Sequence, residues 1–161
     1  MEGPEPGELR ARITEYLRAH HTMTVATVAP VSGTPHAAHV FYAMDPDLRL
    51  IFLSRTSSLH GQYIGESAPV AVTVSEDYDA WHDIQGVQLW GTARQLTRTA
   101  EARALAHYLR RFPFVRDLLN EPGLAARLRD LGVYLVEPEK VAFTDNTSGV
   151  FGRETLELPP L

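Results

Sequence analysis

Apolar and polar residues alternate along this chain in short blocks, and the period of the alternation changes along it. Over residues 8–20 it is helical, with Leu9, Ile13, Tyr16 and Leu17 at i, i+4, i+7 and i+8. From there it shortens to two. Residues 22–29 (TMTVATVA) and 36–43 (HAAHVFYA) read as strands joined by the turn Pro30-Val31-Ser32-Gly33-Thr34. Asp45-Pro46-Asp47 marks the next turn, before a third strand at 49–54. Strands spaced this closely pair as antiparallel hairpins, so the three form a meander. A hydroxyl-rich break, SRTSSLH at 54–60, leads through a helical turn around Gln62-Tyr63-Ile64 to a fourth strand at 70–75, after Pro69. A long fifth strand covers 84–96, where Gly86 and Gly91 mark bends or bulges of a sheet that curls.

The C-terminal part returns to helical spacing. Thr99 is the candidate N-cap of a helix to residue 111, with Leu105, Tyr108, Leu109 and Phe112 as its apolar stripe. Pro113 ends it. Helical pieces follow at 115–119 and 123–130. Residues 132–136 and 141–144 read as a closing hairpin turned at Pro138-Glu139-Lys140, and 146–161 read as loop. About seven short strands without βαβ alternation argue for a small antiparallel barrel of the α+β class. It occupies residues 8–155, between a disordered leader at 1–7 and a tail at 156–161. No GxGxxG follows a strand and no GxxxxGK[ST] is present, which removes the Rossmann and P-loop readings.

Composition narrows the chemistry. At 161 residues the chain is one domain with room for a core. A net charge of −5 supplies no basic field for nucleic acid or an anionic membrane. No apolar run approaches the ~20 residues that span a bilayer. The acidic, Pro/Gly-rich start is unlike a signal peptide, so the expected compartment is the cytoplasm. Without cysteine there is no disulfide, thiolate nucleophile or thiolate metal site. Lys140 is the sole lysine and lies in a turn, a poor place to desolvate an amine for Schiff-base chemistry.

Histidines and hydroxyls supply the candidates. His36 and His39 lie three apart on one strand and so face opposite ways, which prevents joint chelation. There is no HExxH, and no metal site is expected. Ser54, Ser57 and Ser58 lie near His60 but without a GxSxG elbow. The same turn reads better as an anion site. Its hydroxyls donate to oxyanions, Arg55 offers a bidentate fork and His60 adds a charge. On the fifth strand Gln88 shares a face with Trp90, and Gln85 lies on the other. Buried glutamines there would pair with a ring ligand carrying donors and acceptors.

The meander TMTVATV…GTPHAAHVFYAMDPDLRLIFLSRTSSLH…SAPVAVTV followed by IQGVQLWGTARQL resembles the FMN-binding split barrels related to pyridoxamine 5′-phosphate oxidase. GVQLWG, RRFP at 110–113 and FTDNTSGVFGR at 143–153 make it most similar to the YhbP-like branch. The resemblance covers residues 10–155. It implies a six-stranded split barrel with flanking helices, a homodimer, and FMN at the subunit interface. It further implies that His39, Val40, Phe41 and Tyr42 run along the isoalloxazine edge and that Ser54 contacts the flavin. Ser58 and His60, with Arg55 beside them, would hold the phosphate, and Gln85 or Gln88 would reach in from the other subunit. The implied activity is an FMN-dependent oxidoreductase, with a small-molecule substrate and reduced nicotinamide, NAD(P)H, as a possible electron donor. Many flavin-binding relatives carry Lys or Arg where His60 stands, and a neutral imidazole is a weaker phosphate partner. The rival expectation is therefore a flavin-free split barrel that binds another small anionic or aromatic ligand.

Overall fold

The computed structural model of the chain describes residues 6–149 and 152–159. Of the expected leader, residues 1–5 lie outside the described residues, while Pro6 and Gly7 open helix α1 (Pro6–Ala19). The apolar stripe of α1 is buried as its spacing requires, and it packs into the same core as the barrel interior.

The meander forms as expected from strands β1 (Thr22–Val28), β2 (Pro35–Met44) and β3 (Leu50–Arg55). Helix α2 (Leu59–Ile64) crosses to β4 (Ser67–Ser75), which pairs along its whole length with β5 (Gln85–Gln95). Pro69 is inside β4, not before it. Beyond β5 come α3 (Arg98–Arg111), α4 (Pro113–Asn120) and α5 (Leu124–Arg127). The N-cap position of α3 belongs to Thr97 rather than Thr99, and its side chain makes no capping bond.

The expected closing hairpin is a single strand, β6 (Leu131–Asp145). β5 pairs with both halves of it, Gly91 with Pro138 and Trp90 with Lys140, so Glu139 is extra and the turn residues become a bulge. Part of the expected C-terminal loop is also a strand, β7 (Arg153–Glu157), which adds to the outer half of β6 and takes in Leu156 and Glu157 of the expected tail.

Strand order β3-β2-β1-β4-β5-β6 closes on itself through β3–β6 pairing, giving the expected six-stranded antiparallel barrel of an α+β split-barrel fold. Inward positions alternate with outward ones. Met23, Val25, Phe52, Val72, Leu89 and Tyr134 fill the interior. A second cluster lies outside the barrel, where Ala104, Tyr108 and Phe112 at the end of α3 cover Ala43, Ile51, Val133 and Leu135.

Two seams of the barrel are incomplete. β1 and β4 pair only at Thr24↔Thr73, Val25↔Val72 and Ala26↔Ala71. β2 and β3 pair only at Tyr42↔Phe52, Ala43↔Ile51 and Met44↔Leu50. Both strands of each seam then part, and the barrel is split there.

Candidate functional site

Where β2 leaves β3, residues 35–41 of β2 keep β1 as neighbour on one edge and have no strand partner on the other. Backbone donors and acceptors on such an edge need partners. Facing the gap is the end of β3, which pairs with β6 at Ser54↔Gly132 but not with β2. The turn that follows brings the hydroxyls and the imidazole together.

Ser54 Oγ lies 2.5 Å from His60 Nε2 and 3.3 Å from Ser58 Oγ, and Ser58 Oγ is 3.2 Å from the same nitrogen. Ser58 is also the N-cap of α2. It accepts from the Gly61 amide at 3.1 Å and donates to the Arg55 carbonyl at 2.7 Å, so its proton is committed to the backbone. Glycine at 61 is a spatial necessity, because a Cβ there would sit 2.6 Å from the Arg55 carbonyl oxygen. His60 is 9% exposed and its ring stacks on His36 with centroids 5.8 Å apart. Burial, and then the charge of His36, pushes the His60 pKa below its ordinary value.

Arg55, the expected bidentate fork, is engaged instead through Nε with Asp130, at 3.0 and 3.1 Å to its two oxygens. Ser57 Oγ bonds the same carboxylate. Hydrogen bonds from Ser57 and from Arg55 hold the Asp130 carboxyl below the usual carboxylate range. Asp130 lies 75 positions from Arg55, and nothing local in the sequence marks it as a partner. His36 was also missed as a member of this cluster, although the opposite facing of His36 and His39 is observed: His39 is on the outside, with Nδ1 3.3 Å from Thr24 Oγ1.

The four β2 residues divide by parity. His39 and Phe41 project outward, Phe41 being 45% exposed against Phe112 and Phe114. Val40 packs on the interior core, and Tyr42 is buried there with its hydroxyl donating to the Leu17 carbonyl at 2.6 Å. Tyr42 therefore offers no free side-chain group; burial raises its pKa well above that of a free phenol.

The two glutamines are separated in the same way. Gln85 Nε2 donates to Asp145 Oδ1 at 3.0 Å, and Arg12 reaches the other oxygen at 3.0 Å. Burial opposes ionisation of Asp145, but bonds from Thr147, Gln85 and Arg12 outweigh it and hold the carboxyl low. Gln88 instead stands on the outer surface. The registers place His39, Thr24, Thr73 and Gln88 in one row across β2-β1-β4-β5, above a second row of Ala37, Ala26, Ala71 and Trp90. Beside these rows a groove of about 800 Å³ opens at the β1–β4 seam, lined by Val28, Tyr63, Pro69 and Trp90 among others.

A family model described as pyridoxamine 5′-phosphate oxidase matches residues 9–145. A UPF0306 protein of Klebsiella pneumoniae subsp. pneumoniae is 37% identical over 118 residues, covering 73% of this chain and 72% of its own length. A UPF0306 protein of Enterobacter sp. is 33% identical over 149 residues, covering 91% and 94%. Among solved structures, a heme binding protein from Mycobacterium smegmatis superposes with a TM-score of 0.72 at 16% identity, covering 98% of this chain and 60% of that one. At that identity the likeness is one of fold.

Proposed function

This chain belongs to the pyridoxamine 5′-phosphate oxidase family, and from that premise we propose that it is an FMN-dependent oxidoreductase whose flavin lies between two copies of the chain. The observation that carries the reading is the unpaired edge of β2 beside Ser54 and His60. A flavin ring presents donors and acceptors along one side, and a free strand edge is a preformed complement to it. The backbone of His39, Val40 and Phe41 would take the ring edge. Ser54 and His60 would take the phosphate, with Ser58 setting the turn that aims them. Of the two glutamines, Gln88 is the one available to a flavin held by the neighbouring copy, because Gln85 is bonded to Asp145. The flavin would supply hydride or electron transfer, while the chain binds and orients it. The same outer surface supports a homodimer, a soluble cytoplasmic one; among the described residues no helix is long and apolar enough to cross a membrane. Reduced nicotinamide is the fitting electron donor, since it can stack on the ring without a site of its own.

A second reading has its own support. The proton of Ser58 is spent, Arg55 is engaged by Asp130, and His60 is buried with a lowered pKa. That donor set is poor for a dianion and better for an aromatic ligand with a weaker anionic group. Heme, which the fold neighbour from Mycobacterium smegmatis is named for binding, is one such ligand, and His39 is an exposed imidazole on the same face. The absorbance spectrum of purified protein, then titration with FMN, riboflavin and heme, separates the readings. FMN binding tighter than riboflavin supports the first. Heme binding with neither flavin bound supports the second.

A further inference from the structure

Far from the β3–α2 turn, at the C-terminal end of β2, lies a cleft of about 330 Å³ between the C-terminal ends of α1 and α3. Its walls carry Arg18, Arg110, Arg111, His20 and His107, with Tyr42 beneath; no carboxylate is among the described residues that line it, and His20 alone is paired with one, Glu76, at 2.9 Å. This is unexpected in a chain of net charge −5. None of the three arginines forms an ion pair among the described residues. In the adjoining groove, shared through His107 and Arg110, the carboxylate of Asp45 is bonded to Arg49 at 2.6 Å.

Two of the guanidiniums are held in place from behind. Arg111 Nη2 donates to the carbonyls of Arg18 at 2.7 Å and His20 at 3.2 Å, the open end of α1. Arg110 Nη2 donates to His107 Nδ1 at 3.1 Å, and His107 Nε2 lies 3.0 Å from the Met44 carbonyl. A carbonyl only accepts, so Nε2 carries the hydrogen and Nδ1 is the acceptor that orients Arg110. The Nε and Nη1 donors of both arginines make no hydrogen bond among the described residues. Planar forks with unspent donors, lining one cleft and without an ion-pair partner among the described residues, match the oxygens of a carboxylate or a phosphate. We propose that this cleft binds the oxyanion group of a small molecule, with Arg110 and Arg111 as its ligands and His107 as the residue that positions Arg110. The cleft is separate from the flavin reading and stands without it.

Calorimetric titration of the full chain at constant ionic strength tests this, with inorganic phosphate, phenyl phosphate and benzoate as probes. Saturable 1:1 binding of a phosphate or a carboxylate is expected, and which probe binds tighter identifies the head group. Arg110→Gln should weaken it at least tenfold. Among the described residues that side chain bonds only His107, so the fold is spared, whereas Arg111 also caps α1. His107→Ala should weaken binding severalfold without removing an arginine. Arg116→Gln, an exposed arginine on α4, should change nothing. His60→Ala, at the other end of β2, should also leave this affinity unchanged. No saturable binding of any probe at millimolar concentration overturns the proposal. So does an equal effect of Arg110→Gln and Arg116→Gln, which is bulk charge. Loss of binding in His60→Ala with Arg110→Gln unaffected also overturns it, because the oxyanion then sits at the β3–α2 turn.

Discussion

A phosphate dianion brought to the β3–α2 turn meets an imidazole that burial has made hard to charge. Around His60 stand Ser54, Ser58, His36 and Phe52, none of them an acid. Its pKa is below the ordinary value of about 6.5 in the free protein, and a bound phosphate would raise it. The complex would then hold a proton that the free protein lacks, so binding takes one up. FMN affinity should increase as pH falls from about 8 towards 6, and riboflavin affinity should not. His60→Ala should remove that slope and weaken FMN by about 1.5–3 kcal/mol, the range for bonds to charged groups. A pH-independent FMN affinity in the wild type would mean that His60 acts only as a neutral donor. The sign for folding is opposite. A lowered native pKa means that the unfolded chain binds the extra proton. His60 therefore contributes stability that is fully present above about 6.5 and lost as pH falls through its native value. Asp145 behaves likewise at lower pH. Its stability is present above the usual carboxylate pKa of about 3.9 and lost on acidification through its lower native value. Asp145→Ala should cost about 2 kcal/mol in denaturant unfolding, since bonds from Arg12, Gln85 and Thr147 go together. Asn146→Ala, which loses one bond to the Trp81 carbonyl, should cost ~1 kcal/mol. Both should leave ligand binding in place, because the Asp145-Asn146-Thr147 turn ties α1 to β5 and β6 rather than lining the β2 edge.

Among the elements, β5 and β6 depend most on a single residue. At the bulge opposite Glu139, a Cβ on Gly91 would lie 2.0 Å from the Glu137 carbonyl oxygen. Backbone, not a flexible side chain, occupies that space. Gly91→Ala should therefore destabilise by about 3 kcal/mol, the upper part of the range for overpacking. Gly86→Ala should be far milder, its nearest contact being 3.3 Å. Equal melting temperatures for the two variants would show that the bulge relaxes freely. The bulge also explains why β6 carries the sequence pattern of a hairpin. Pro138-Glu139-Lys140 has turn composition, and Pro138 cannot donate to a ladder. Opposite Gly91, with one residue extra, the strand kinks there and continues.

At the scale of the whole molecule, α3 covers the outer surface of β3 and β6, while no described element covers the rows on β2-β1-β4-β5. Phe41 at 45% and Trp90 at 38% exposure border that surface. The outcome expected is a homodimer with this face buried, over an area above ~1,000 Å². Sedimentation at micromolar concentration should give twice 17.9 kDa. Ala26→Arg, in the middle of the row, should shift the species to monomer without lowering the helix and strand content. A wild type that sediments only as a monomer would sink both the dimer and a flavin site shared between copies.

The barrel was legible in the sequence because its causes are local. Period-two alternation, β-branched residues and short turn signals each act within a few positions, and they specify strands and a meander. The 3.6-residue stripe of α1 and the Pro113 stop of α3 are local in the same sense. The hydroxyls and imidazole of the β3–α2 turn were legible too, lying within seven consecutive residues. What only the tertiary structure decided is which of those groups remain available. Asp130 comes from the turn just before β6 to engage Arg55, and Leu17 from α1 takes the Tyr42 hydroxyl. Asp145 binds Gln85 across the β5–β6 pair and leaves Gln88 on the open face. The cationic cleft arises in the same way, from helix ends more than ninety residues apart in the chain. A side-chain group engaged inside the fold is withdrawn from a ligand, and the partner that engages it is chosen by chain closure, not by sequence neighbours.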